Sequence, residues 1–165
     1  MYTIKSNQLE ATINPIGAEL SGLRCRATGT EYIWQGDPAW WAGRAPVLFP
    51  ILCSLKDGAY WHEGKRYEMP KHGFVRHTAC KRGETQDKDG LAGEGAEDGV
   101  MFYYAANEET LAMYPFDFVL AVAFTIAGNQ LRVKYSVSND NPFPMYFSIG
   151  AHEAYRCPRE PGETF

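Results

Sequence analysis

The sequence predicts an all-β fold, a sandwich of antiparallel sheets, on three observations. Phe116, Phe118, Leu120, Val122, Phe124 and Ile126 occupy every second position, and after Gly128-Asn129 the pattern resumes at Leu131, Val133, Tyr135 and Val137. Alternate side chains of a strand point to opposite faces, so each run presents an apolar face, and the Gly-Asn pair turns one strand back on the other. Short extended runs separated by Gly, Asn, Asp and Pro fill the rest of the chain, while helical periodicity is scarce. Aromatic residues make up 14% of the chain, and many fall in these runs, where rings suit a pleated, half-buried surface.

In order, Leu9 to Ile13 alternates and stops at Asn14-Pro15, and Ala18 to Ala27 alternates again. Glu31 to Trp34 is a short extended run before Gly36-Asp37-Pro38, with one helical turn expected over Pro38 to Ala42. Val47 to Leu52 is continuously apolar, which predicts a strand buried on both sides, made irregular or edge-like by Pro50. Tyr60-Trp61-His62 and Lys65-Arg66-Tyr67 flank Glu63-Gly64, a tight turn between two short strands. Residues 87–99 are rich in Gly, Asp and Glu and predict an exposed acidic loop. A second helical turn is expected near Asn107 to Met113. Phe116 to Ala127 is then the core strand. Asn139-Asp140-Asn141-Pro142 turns the chain once more into Met145 to Ile149, the expected third strand of an antiparallel meander.

A chain of 165 residues predicts a single domain, 1–165, able to bury roughly two thirds of its unfolded surface. Its net charge of −4, with acidic and basic residues interspersed and no basic block, gives no reason to expect nucleic acid or an anionic membrane surface. A small, neutral partner fits better. No stretch approaches the roughly 20 apolar residues of a membrane span, and Met1-Tyr2-Thr3-Ile4-Lys5 lacks the apolar run of a signal peptide. Cys25, Cys53, Cys80 and Cys157 form no C-x-x-C pair, which argues against a zinc knuckle and fits a reducing cytosol. Cytoplasmic localisation is the expectation.

Phosphate-loop, dinucleotide, metalloprotease and Gly-x-Ser-x-Gly signatures are all missing. Acid–base chemistry therefore falls to two glycine-flanked histidines, His72 in Pro70-Lys71-His72-Gly73-Phe74 and His152 in Ser148-Ile149-Gly150-Ala151-His152. Histidine is the side chain that gives or takes a proton near neutral pH. Each sits where an extended or apolar segment gives way to a loop, although a histidine that merely caps a strand would look the same. Arg44 and Arg76 offer fixed hydrogen-bond donors for sugar hydroxyls, or simply structural ion pairs. His62 and His77 look ordinary. Trp34, Trp40 and Trp41 could stack on a sugar face, but most tryptophans of a sandwich are packing residues. Glu153 adjoins His152, yet neighbours in an extended segment point to opposite faces, so it is not expected to pair with it.

Gly43-Arg44-Ala45-Pro46-Val47-Leu48-Phe49-Pro50-Ile51, Leu55-Lys56-Asp57-Gly58, Pro70-Lys71-His72-Gly73-Phe74-Val75-Arg76 and Ser148-Ile149-Gly150-Ala151-His152 together resemble the aldose 1-epimerase (galactose mutarotase-like) family, most closely its bacterial LacX-like branch. The resemblance covers essentially the whole chain in the right order. It implies a large antiparallel β-sandwich, the galactose mutarotase-like supersandwich, of which the chain matches the N-terminal part. It also implies a sugar substrate and interconversion of α and β anomers by ring opening, without metal or organic cofactor. Carried over, His152 is the general acid at the ring oxygen, and His72, Arg44 and Arg76 hold and orient the sugar.

The family's general base, a glutamate, belongs to a position beyond Phe165, as does an acidic sugar-binding residue. Glu153 stands where the family usually has proline, and His77 where an acidic residue is common. Losing one proton-transfer partner costs ~10²–10⁴ in rate. The expectation is therefore an impaired mutarotase, with a non-catalytic carbohydrate-binding protein or an inactive fragment as alternatives. A sandwich matched only in part also predicts self-association through an exposed sheet edge. A phosphorylated sugar would call for extra cations, for which Lys71, Arg76 and Lys81 are candidates without deciding it.

Overall fold

The first alternating stretch folds into three antiparallel strands, β1 (Tyr2–Lys5), β2 (Leu9–Asn14) and β3 (Glu19–Cys25), hydrogen-bonded in that order. Leu9, Ala11 and Ile13 point into the core from β2, as their spacing requires. β1 was not singled out by the sequence pattern; only Ile4 of its four residues is buried. The computed structural model describes residues 1–83 and 96–157.

Next come β4 (Val47–Leu48), a hairpin of β5 (Ala59–His62) and β6 (Lys65–Glu68), and β7 (Lys81–Gly83). They are followed by β8 (Asp98–Ala105), the short helix α1 (Glu108–Met113), β9 (Phe118–Ala127), β10 (Gln130–Asn139) and β11 (Gly150–Ala151). The hairpin turns at Glu63-Gly64 as expected. Asn107 caps α1: its Oδ1 accepts from Thr110 N at 3.0 Å, and Thr110 Oγ1 accepts from Asn107 N at 2.9 Å. The helix ends before Pro115. Among the described residues no helix is long and apolar enough to cross a membrane.

β7 to β10 form a four-stranded antiparallel sheet in the order β10-β9-β8-β7. The expected apolar face is there: Phe116, Phe118, Leu120, Val122, Phe124 and Ile126 are each at most 2% exposed. Burying each of these side chains is worth about 1.5–3 kcal/mol, so this face is the principal stabilising surface of the chain. The β1-β2-β3 sheet lies across it, with Tyr2 edge-on to Phe102 at 5.3 Å. Polar bonds lock the turns of the two sheets together. Ser6 Oγ donates to Gly128 O (2.6 Å), and the Glu97 carboxylate accepts from both Asn7 N (2.9 Å) and Gly128 N (2.8 Å). The architecture is the antiparallel, all-β one predicted.

Three expectations need correction. The Val47–Leu52 run is buried through Pro50, but only Val47 and Leu48 form a strand, paired with β11. Pro50 has no N–H for a ladder, and by Leu52 the chain is 39% exposed. Met145–Ile149 is not a third strand of the meander. Asn141 ties the turn to Asp117, accepting from its N–H (3.0 Å) and donating to its carbonyl (2.8 Å), so the chain crosses the end of β9 instead of running beside β10. Pro142 and Pro144 also remove two ladder donors. Lastly, of the expected loop 87–99, Asp98 and Gly99 open β8, while 87–95 lie outside the described residues.

Candidate functional site

Two loops far apart in sequence meet over the β4–β11 pair. Ala151 pairs with Val47 and Gly150 with Leu48; the zipper continues beyond the strands, His152 N donating to Pro46 O (3.2 Å) and Ala154 N to Arg44 O (2.8 Å). The carboxylate of Glu19 on β3 accepts from the N–H groups of Arg44 (3.0 Å) and Ala45 (3.1 Å), anchoring this segment to the first sheet. His152 therefore stands at a fixed place, exposed at the surface, with its ring 5.2 Å from that of Trp41. Gly43 makes the Trp41 position available: a Cβ there would lie 2.5 Å from the indole. Trp34 Nε1 donates to Trp41 O (2.7 Å) and holds the loop from the other side.

The second loop carries His72. Gly73 has φ +71°, and Phe74 N donates to Phe49 O (3.1 Å), pressing the loop against the core. His72 N donates to Cys53 O (3.2 Å), and its ring Nδ1 meets the carbonyl of Leu52. A carbonyl only accepts, so Nδ1 carries the proton and Nε2 is left for a ligand. One residue further on, a 3-10 turn over Val75–His77 buries Val75 and leaves Arg76 half-buried beside the histidine.

Between these loops lies a cleft of about 400 Å³ lined by Trp41, Pro46, Lys71, His72, Arg76 and His152. Three of the four predicted site residues thus share one cavity. Arg44 is the exception: it is absent from the lining, and its Nη2 donates to Gln35 O at 3.0 Å. Its backbone carbonyl instead serves the zipper that holds His152. Trp41 and Lys71 were weighed from the sequence only among look-alikes. Their signals were there, in the Gly43 that clears space for the indole and in the position of Lys71 next to His72. His62, thought ordinary, packs at a tilt against Phe116 (ring centroids 4.9 Å apart) in a separate apolar pocket of about 280 Å³.

No carboxylate lines the cleft among the described residues. Glu153 points elsewhere, as the alternation of extended backbone requires. Its charge acts on Tyr135, whose phenol is pushed up to about 12, first by burial and then by Glu153 and Tyr155. Nor do any three or more His, Cys, Asp or Glu side chains among the described residues come together as a metal site. The arrangement offers two imidazoles, two cations and an indole face. It can bind hydroxyls and exchange protons on one side of a small ring.

Comparison with known proteins identifies the family and the fold. The family model for aldose 1-epimerase matches residues 1–164. The plasmid and chromosomal LacX proteins of Lactococcus lactis subsp. lactis are each 32% identical over 98% of this chain and 52% of their own length. Thus the chain spans about half the length of the curated relatives it matches. Two solved structures are similar over the same share. A galactose mutarotase related enzyme of Lactobacillus acidophilus has TM-score 0.88 at 32% identity, covering 99% of this chain and 51% of that one. A galactose mutarotase-like protein of Lactobacillus casei has TM-score 0.86 at 33% identity, covering 98% and 51%. With a galactose mutarotase-like antiparallel fold, both histidine motifs in one cleft and a family match over almost its full length, the chain belongs to the aldose 1-epimerase family.

Proposed function

We propose that this cleft binds an aldose ring and supports interconversion of its anomers. The observation that carries the reading is the meeting of His72 and His152, from distant segments, in one cavity beside an indole. Trp41 would receive the apolar face of the ring, and His72 Nε2 and Arg76 would hold hydroxyls. His152 then gives its proton to the ring oxygen as the C1–O5 bond breaks, while a base removes the proton from the anomeric hydroxyl and that O–H pair becomes the C1=O bond. Rotation about C1–C2 and reclosure on either face, with the protons returned, gives both anomers. Arg44 positions His152 through its backbone. The base comes from outside the described residues, since no carboxylate lines the cleft among them.

That same lack of a carboxylate favours a second reading, a sugar binder that turns nothing over. One experiment separates the two: NMR mutarotation of freshly dissolved α-glucose and α-galactose with this chain and with His152→Ala, both shown folded by circular dichroism. Acceleration that His152→Ala abolishes supports catalysis, at a rate ~10²–10⁴ below that of a site with both proton-transfer groups. Saturable binding without acceleration supports the binder. Acceleration unchanged in His152→Ala overturns the assigned acid.

A further inference from the structure

We propose that β10 pairs with β10 of a second copy of this chain, antiparallel about a two-fold axis at Tyr135, joining two four-stranded sheets into one. β10 is the outer strand of its sheet, and among the described residues no strand lies on its far side. Its edge is long and regular: all ten residues from Gln130 to Asn139 pair with β9 without a register shift, and none is proline. The row of N–H and C=O groups on such an edge is a template for another strand. Other edges are poorer templates. β1, β5 and β6 have four residues each and β7 three. β3 is already covered, with Tyr32 N donating to Leu23 O (2.8 Å) and Cys25 N to Thr30 O (2.9 Å).

The register argues for the chain itself as partner. Ala127 and Gln130 close the turn at Gly128-Asn129, so backbone groups point toward β9 at Gln130 and every second residue after it. The bond from Asp140 N to Asp117 O (3.1 Å) continues that alternation. Leu131, Val133, Tyr135, Val137 and Asn139 therefore turn their backbone groups to the free edge. The first four also carry the side chains packed, only partly buried, against the core. About an axis at Tyr135, Leu131 faces Asn139 of the second copy, Val133 faces Val137, and Tyr135 faces itself. Each such pair exchanges two backbone bonds, and the apolar stripe runs on across the join. On the other face Arg132 falls opposite Ser138 and Lys134 opposite Ser136, so no cation directly opposes another. An axis at Lys134 would set that residue against itself, and one at Val133 would set Arg132 against Lys134. Like charges directly opposite are destabilising. An axis beyond Tyr135 leaves Leu131 past the end of the opposing strand. A second copy thus supplies a complementary residue at every position from Leu131 to Asn139.

The test is sedimentation equilibrium of the full chain from about 1 to about 500 μM, with amide exchange followed by NMR at both ends of that range. The expected result is a monomer–dimer equilibrium in which the amides of Leu131, Val133, Tyr135 and Val137 slow as dimer forms. Those of Arg132, Lys134 and Ser136, directed at β9, change little. Two variants probe the register. Ser138→Glu sets a carboxylate opposite Arg132 on both sides of the axis, and Ser138→Arg sets a second guanidinium there. Ser138 is exposed, so both variants keep the monomer fold, checked by circular dichroism. The dimer Kd should fall on the order of fivefold in the first and rise on the order of fivefold in the second, both effects shrinking at high salt. A monomer at every concentration overturns the proposal. So does a dimer whose outward β10 amides exchange as fast as in the monomer, because it associates elsewhere. Protection of those amides at every concentration also overturns it, because another segment of the same chain then covers the edge. Equal Kd values in the two variants overturn the register.

Discussion

Gly73→Ala isolates the contact that holds His72 in place. Gly73 adopts φ +71°, and a Cβ on it would stand 2.0 Å from the carbonyl oxygen of Phe49, where real contacts essentially never fall below 3.0 Å. Phe49 cannot give way. It is fully buried, with its ring against Phe74, Tyr114, Phe118 and Phe147 at centroid distances of 6.4, 6.2, 5.1 and 5.7 Å. The His72 loop must retreat by about 1 Å instead, and the Phe74 N to Phe49 O bond opens. The left-handed backbone costs an L-residue about 1–2 kcal/mol, overpacking about 1–3, and the lost hydrogen bond about 1. Destabilisation of about 3–6 kcal/mol follows, which at about 2–4 °C per kcal/mol lowers Tm by on the order of 10 °C or more. Gly29→Ala is the control, because Gly29 has φ +75° with nothing within 4 Å of the added Cβ, leaving only the backbone term of about 1–2 kcal/mol. Urea unfolding of both variants reads the difference. Equal losses, within about 0.5 kcal/mol, would refute the claim that close packing on Phe49 positions the loop.

Two further outcomes are expected. Glu19→Ala strands the N–H groups of Arg44 and buried Ala45, so it should cost about 2–4 kcal/mol in urea unfolding and loosen the His152 zipper, read as faster amide exchange at His152 and Ala154. Cys80 is 8% exposed, and burial pushes its thiol from 9.0 up to about 11. Below pH 9 native and unfolded chains both keep that proton. Between pH 9 and 11 the unfolded chain loses it first, so stability falls by up to about 2–3 kcal/mol across that window. Cys80→Ala should remove this part of the decline, and in native protein a thiol reagent should titrate exposed Cys53 and Cys157 well before Cys80.

The alternation from Phe116 to Val137 and the Gly128-Asn129 turn were enough to specify the antiparallel core, because period-two patterning has only one way to bury its apolar side. The same logic turned Glu153 away from His152. His72 and His152 were legible as chemistry, since glycine-flanked histidines at the ends of extended runs have little packing to do, and the motifs around them carried the family resemblance. That they share a cavity was not legible. It depends on a two-residue pairing of β4 with β11 and on the bond from Phe74 N to Phe49 O, long-range contacts that leave no periodic trace. Arg44 shows the limit most clearly: adjacent to the buried run, it looked like a side-chain donor to substrate, yet its backbone carbonyl holds the zipper while its guanidinium bonds Gln35. The misread strand at Met145–Ile149 has a similar cause, since Asn141 hooks Asp117 across the turn and redirects the chain. Sequence alone therefore determined the strands with a long apolar face, the turn that joins them and the residue types able to move a proton. Tertiary structure decided which of those residues meet and which sit apart, because a short strand pair and single side-chain-to-backbone bonds draw their free energy from partners distant in the chain.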